Sequence, residues 1–65
     1  MNEPKVKYLT PQQLADSLNI SKLTVYGWIQ RRKIPYLKIG RLVRFRSEEI
    51  EKWLTGMRVS ANDSY

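Results

Sequence analysis

Cationic side chains dominate the middle of this 65-residue chain. Residues 22–46 carry eight Lys or Arg and no Asp or Glu, so this segment has a charge of +8 in a chain whose net charge is +6. The eight cations are Lys22, Arg31, Arg32, Lys33, Lys38, Arg41, Arg44 and Arg46. Because like charges gathered in one segment repel one another, the arrangement favours a polyanion that offsets the repulsion. We expect an anionic partner, with nucleic acid first among the candidates.

The residue types that support catalysis or metal binding are scarce. The chain has no Cys and no His, which excludes a disulfide framework, a cysteine-based zinc site and a histidine general base. A metal-dependent nuclease needs clustered carboxylates, whereas Glu48, Glu49 and Glu51 fan out around one predicted helix. We therefore expect a protein that is not an enzyme and that holds no metal and no cofactor.

The length and the apolar pattern limit the chain to one small domain. Its apolar fraction of 42% is enough for a folded core. The apolar runs are too short to span a bilayer, and no charged-then-apolar leader opens the sequence. These features predict a cytoplasmic protein with no membrane association.

The first helix has clear start and stop signals. Thr10, Pro11 and Gln13 form a capping box with Pro at the first helical position. Asn19 is a residue that tolerates the left-handed conformation at a helix end. The signals predict a short helix over residues 11–18.

A second helix follows after a turn of about three residues. Ser21 is the predicted N-cap, and Val25, Trp28 and Ile29 fall on one stripe at 100° per residue. Pro35 disfavours helix at the residue before it, so the helix is expected to end near Arg31 or Arg32. Two helices joined in this way form a helix-turn-helix.

Residues 36–46 change to the alternating pattern of a β-hairpin centred on Gly40-Arg41. A two-residue loop would place Val43 and Phe45 on the face opposite Leu37 and Ile39, whereas an odd-length loop or a bulge would place all four on one face. We favour the odd-length loop, because it gives the sheet a single apolar face.

A third helix is predicted after the hairpin, with Ser47 as its N-cap and Gly56 as its stop. Its apolar stripe consists of Ile50, Trp53, Leu54 and Met57. The fold class is a small, single-domain α+β winged helix-turn-helix in the order helix-helix-β-hairpin-helix. We expect a domain over residues 9–57, a flexible basic arm over residues 1–8 and a disordered tail over residues 58–65.

The residues of this pattern resemble the excisionase-type DNA-binding domain family, which is related to the DNA-binding heads of MerR-type regulators. The resemblance is carried by Tyr8-Leu9-Thr10, Leu14-Ala15, Ile20-Ser21, Thr24-Val25-Tyr26, Trp28-Ile29, Ile34-Pro35, Lys38-Ile39-Gly40-Arg41, Arg44-Phe45 and Trp53-Leu54. It implies duplex DNA binding, with the second helix in the major groove and the hairpin against the backbone or adjacent minor groove. Family members usually have a basic residue in place of Gly27 and a Gly in place of Arg32.

The resemblance implies an excisionase-like architectural factor in site-specific recombination of a mobile element, with a small transcription regulator of the same fold as the alternative. A recombinase or neighbouring protomers on DNA are the expected further partners. We expect a monomer in free solution, because few residues follow Met57 in which to form a MerR-type dimerisation helix. A protein-docking module and an RNA-binding module, with Tyr36 and Phe45 stacking on bases, are the remaining alternatives.

The candidate DNA contacts lie on the second helix and the hairpin. Helix residues are expected to read base edges, as Gln does with adenine and Leu with the thymine methyl, and the arginines and Lys38 are expected to contact phosphates. Gly27 would let the helix approach the groove closely. The full set is Ser21, Lys22, Leu23, Thr24, Tyr26, Gly27, Gln30, Arg31, Lys38, Arg41, Arg44 and Arg46.

Overall fold

A computed structural model describes residues 7–59 of the chain. Three helices and three short strands follow one another in this part. In chain order they are β1 (Tyr8–Leu9), α1 (Pro11–Leu18), α2 (Lys22–Gln30), β2 (Leu37–Ile39), β3 (Leu42–Arg46) and α3 (Ser47–Thr55). The small α+β winged helix-turn-helix fold is confirmed.

The capping box predicted for α1 is present. The Thr10 hydroxyl accepts a hydrogen bond from the Gln13 N–H at 3.0 Å, and the Gln13 side chain accepts one from the Thr10 N–H at 2.9 Å. Asn19 is left-handed with φ 58° and ends the helix. The Ser21 hydroxyl then caps α2 by accepting from the Leu23 N–H at 3.0 Å. The turn between the two helices therefore follows directly from the local signals in the sequence.

The carboxyl end of α2 is closed by a Schellman motif. Arg32 is left-handed with φ 56°. The Lys33 N–H donates to the Trp28 carbonyl at 2.9 Å, and the Arg32 N–H donates to the Ile29 carbonyl at 3.0 Å. The helix itself ends at Gln30, with Arg31 as its C-cap, so the predicted end is correct to within about a residue.

The predicted arm is wrong at its last two residues. Tyr8 lies in β1 and pairs with Arg46, while Leu9 pairs with Phe45. Lys7 and Ser47 are joined by two further hydrogen bonds. The Lys7 N–H donates to the Ser47 hydroxyl at 3.0 Å, and the Ser47 N–H donates to the Lys7 carbonyl at 2.8 Å. The rest of the predicted arm lies outside the described residues, as does most of the predicted tail.

The odd-length hairpin loop is also wrong. Ile39 pairs with Leu42 and Leu37 pairs with Arg44, so Gly40-Arg41 is a two-residue connection. Gly40 has φ +61°, which suits the first position of such a turn. The antiparallel sheet has the order β1-β3-β2. Because β2 is an edge strand, the core is filled by alternate residues of β3 and by Leu9, and β2 does not supply an apolar face.

Helix α3 begins at Ser47, not after it. Arg46 occupies the N-cap position without a side-chain hydrogen bond, so the predicted cap at Ser47 is wrong. The Ser47 hydroxyl instead accepts from Lys7, as described above. The helix ends at Thr55 with Gly56 as C-cap. Ile50 is buried, but Met57 is half exposed and contributes less to the core than its stripe predicts.

The core joins both helices of the helix-turn-helix to the sheet and to α3. Its buried members are Leu14, Ala15, Val25, Ile34, Phe45 and Ile50. Trp28 and Trp53 pack against this cluster, as predicted, and meet edge to face with ring centroids 5.2 Å apart. The Trp53 Nε1–H also donates to the Lys33 carbonyl at 2.8 Å. Helix α3 thus holds the end of α2 in place.

Candidate nucleic-acid interface

One long face of α2 is directed away from the core. At 100° per residue, Leu23, Gly27 and Gln30 form its central stripe, with Thr24 and Arg31 along one side. The opposite side of the helix carries buried Val25. The structure therefore brings the helix residues of the predicted site together on one surface, as far as Arg31 just past the helix end.

The amino-terminal half of this face combines apolar and cationic groups. The Leu23 side chain is 79% exposed, the most exposed of the large apolar residues in the described part of the chain. The Lys22 Nζ lies 5.6 Å from the centre of the Tyr26 ring, within the range of a cation–π interaction. This contact limits the freedom of the Lys22 ammonium group.

Two of the four backbone amides at residues 21–24, at the amino terminus of α2, are bonded within the fold. The Leu23 N–H is bound by the Ser21 hydroxyl, and the Thr24 N–H donates to the Ser21 carbonyl at 3.0 Å. Of the four amides at residues 21–24, those of Ser21 and Lys22 have no acceptor within residues 7–59. Any anion at this end would be met by these two.

The hairpin formed by β2 and β3, hereafter the wing, presents its turn to solvent. Lys38 and Arg41 are exposed and make no ion pair among the described residues. Ile39 and Leu42 flank the turn and are 55% and 53% exposed. The tip of the wing is thus an apolar pair next to a free guanidinium group.

The two remaining arginines of the predicted site are engaged within the fold. The Arg44 guanidinium donates to the carbonyl of Val43 at 2.7 Å. Arg46 lies 3.5 Å from the Glu49 carboxylate and 3.8 Å from that of Glu48. Both side chains are half-buried, so they are less available to a phosphate than the exposed cations.

Two exposed cations that the site prediction omitted lie directly after α2. Arg32 and Lys33 extend the charged face beyond Arg31. The feature of the sequence that could have indicated both residues is the run of three consecutive cations at residues 31–33.

The two aromatic residues proposed to stack on RNA bases differ in exposure. Phe45 is fully buried, and Tyr36 is half-buried against the core. The Phe45 ring therefore cannot stack on a base. Within residues 7–59 no group of acidic side chains is arranged to hold a metal ion, and no helix has the length and hydropathy to cross a bilayer.

A helix-turn-helix followed by a wing, with six exposed cations among residues 22–46, is typical of DNA-binding proteins of the helix-turn-helix class. The Helix-turn-helix domain family matches residues 8–58, and the chain belongs to that family. It is 37% identical over 51 residues to "Uncharacterized protein YvgK" of Bacillus subtilis (strain 168). That match covers 78% of this chain but 17% of the relative. No solved structure matches the chain significantly.

Gly27 tests whether α2 approaches its ligand closely. A Cβ added at this position meets nothing within 4 Å beyond its own helix. Gly27→Ala should therefore stabilise the domain by up to about 1 kcal/mol, or about 4–8 °C in melting temperature. If the glycine allows close approach, the added methyl group holds the helix away from the groove and weakens specific binding. Thermal unfolding and duplex titration measure the two effects.

Gly27→Arg should restore affinity with an altered sequence preference, because an arginine on the outward face of α2 can make a new contact with a base or a phosphate. Gly56→Ala is the matched control, since its Cβ would be 3.4 Å from the Trp53 carbonyl and far along the chain from α2. It should leave DNA affinity unchanged. Unaltered specific affinity in Gly27→Ala would show that this glycine has no role in binding.

Proposed function

We propose that the protein is a sequence-specific duplex-binding architectural factor of the excisionase type. In this proposal α2 lies in the major groove and the wing contacts the adjacent minor groove and backbone. The protein bends its site and thereby assists site-specific recombination of a mobile element. The resemblance of its α2 and Lys38-Ile39-Gly40-Arg41 residues to excisionase-type domains supports the family role.

The observation that carries the architectural role is the tip of the wing. Ile39 and Leu42 are directly paired across the turn and are both more than half exposed, with Arg41 between them. Proteins that bend DNA from the minor groove use cations to enter it and insert apolar side chains between base steps. An apolar pair beside an arginine has the chemistry of such a wedge.

A second candidate is a transcription regulator of the same fold. The excisionase-type family that the sequence resembles also includes small transcription regulators of this fold. A recombinase or a neighbouring protomer on the DNA is a proposed partner under the first candidate only.

Selection of bound duplexes from a random pool distinguishes the two roles. The excisionase role predicts tandem direct repeats among the selected duplexes, and a bend of about 20–90° in each complex measured by fluorescence energy transfer between the duplex ends. A lone or inverted site without a bend would contradict the architectural role and favour the regulator.

The same bending measurement tests the wing. The double variant Ile39→Ser, Leu42→Ser should bind the selected site but bend it less, because the wedge is lost while α2 and the cations remain. Met57→Ser is the control, since Met57 is 50% exposed but lies beyond α3. A bend equal to that of the parent in the double variant would show that the wing tip is not the wedge.

A further inference from the structure

Arg32 occupies a backbone position that favours glycine. Its φ of 56° is imposed by the Schellman motif that closes α2. An L-residue with a Cβ is disfavoured in this conformation, and glycine is the usual choice at the equivalent position of other helices. Among residues 7–59, Asn19 also has a left-handed backbone, but asparagine is a residue type that tolerates this conformation. The left-handed backbone at Arg32 is therefore expected to lower the stability of the folded domain.

No contact of the Arg32 side chain within residues 7–59 offsets this cost. The Arg32 side chain is exposed, and within residues 7–59 it makes no hydrogen bond and no ion pair. Its backbone is held on both sides, because the Arg32 N–H donates to the Ile29 carbonyl and the next residue, Lys33, is bonded to Trp28 and to the Trp53 indole. The guanidinium group thus projects from a fixed point without an intramolecular partner.

The position of this point relative to α2 indicates the ligand. A helix of nine residues is about 13.5 Å long at 1.5 Å per residue, close to the roughly 12 Å width of the major groove. When the amino-terminal half of α2 contacts bases, the residues just past its carboxyl end come level with a bordering phosphate backbone. We infer that Arg32 binds a DNA phosphate there, an inference that rests on the proposed docking of α2.

The alternative is a purely structural role. A cation near a helix carboxyl terminus interacts favourably with the helix dipole. Arg31 and Lys33 already place cations at this end, on either side of Arg32. The two roles predict opposite changes in stability when the charge is removed and the backbone is relaxed.

The test is Arg32→Gly in the full chain, measured by thermal unfolding and by duplex titration over a range of salt concentrations. Relief of the left-handed backbone should raise the melting temperature by a few degrees. Loss of one phosphate contact should make the slope of log K against log[salt] less negative by about 0.9 and lower affinity at 0.1 M salt roughly fivefold to tenfold. Arg32→Lys should keep most of the affinity and the slope.

Two controls separate charge and backbone. Asn19→Gly relaxes the other left-handed residue without a change of charge, and Lys52→Gln removes one charge from α3; both should leave the slope unchanged. A parent-like slope in Arg32→Gly overturns the inference, and a lowered melting temperature together with that slope assigns Arg32 to the dipole. A parent protein without salt-dependent duplex binding would instead overturn the docking of α2 itself.

Discussion

The affinity of the protein for duplex DNA should fall about 250- to 1000-fold between 50 and 200 mM salt, because its binding is expected to release counterions from four to six phosphates. This corresponds to a slope of log K against log[salt] of roughly −4 to −5. The structure supports the upper part of this count, since six of the eight cations in residues 22–46 are exposed. The other two, Arg44 and Arg46, are bonded within the fold.

The titration has an internal comparison. A duplex of random sequence should show a slope of similar size, because the phosphate term does not depend on sequence. A slope near zero on either duplex would contradict the argument that the cationic segment exists to meet a polyanion. The exposed cations would then have to be explained as a solvated surface.

Substitutions on α2 and on the wing should have different consequences for sequence preference. Gln30→Ala and Thr24→Ala remove exposed polar groups from the outward face of the helix. Each should relax the preference at one position of the site, by roughly 5- to 150-fold if the contact contributes about 1–3 kcal/mol of discrimination. Binding to a panel of single-base variants of the selected site measures this change.

Arg41→Ala is the matched change on the wing. It should weaken binding to every member of the panel about equally and make the salt slope less negative by about one, as expected for a phosphate contact. An altered base preference with an unchanged slope in Arg41→Ala would mean that the wing reads bases and that the division of roles is wrong.

Local signals in the sequence predicted the helix-turn-helix almost completely. The capping box at Thr10, the left-handed Asn19 and the Ser21 cap all involve partners within a few residues of one another. Such signals are readable because the groups that satisfy each helix end lie in the same short segment. The helical part of the candidate surface followed from these boundaries and the 100° periodicity.

The errors at β1 and at Ser47 involve partners far apart in the chain. The strand β1 has two residues and no periodicity of its own, and it exists because β3 pairs with it. Ser47 had the type expected of an N-cap, but its hydroxyl is bound to Lys7, 40 residues away. The predicted hairpin loop was wrong because the prediction required an apolar face from β2, whereas the sheet contributes Leu9, Val43 and Phe45 to the core. Its consequence, the exposed pair at the wing tip, could therefore not be foreseen.

The sequence predicted which residues of the site are cationic, but not which of these cations are bonded within the fold. The net charge of residues 22–46 does not distinguish the eight cations from one another. Arg46 lies at the start of α3 and forms ion pairs with two glutamates that follow it within three residues. Which cations are free depends on where α3 begins relative to the strand before it. Arg32 departs from the pattern of the family that the sequence resembles. The exposure of its side chain depends on the left-handed backbone at this position, which the structure shows.

The contact between Trp28 and Trp53 also gives the domain an optical property. Two indole rings 5.2 Å apart and inclined at 72° are close enough for their electronic transitions to couple, which produces a near-ultraviolet circular dichroism signal that depends on their mutual angle. One ring belongs to α2, and the other is bonded to the carbonyl of Lys33 just beyond it. The folded domain therefore contains an intrinsic pair of chromophores whose spectrum reports, without any attached label, on the position of α2 relative to α3.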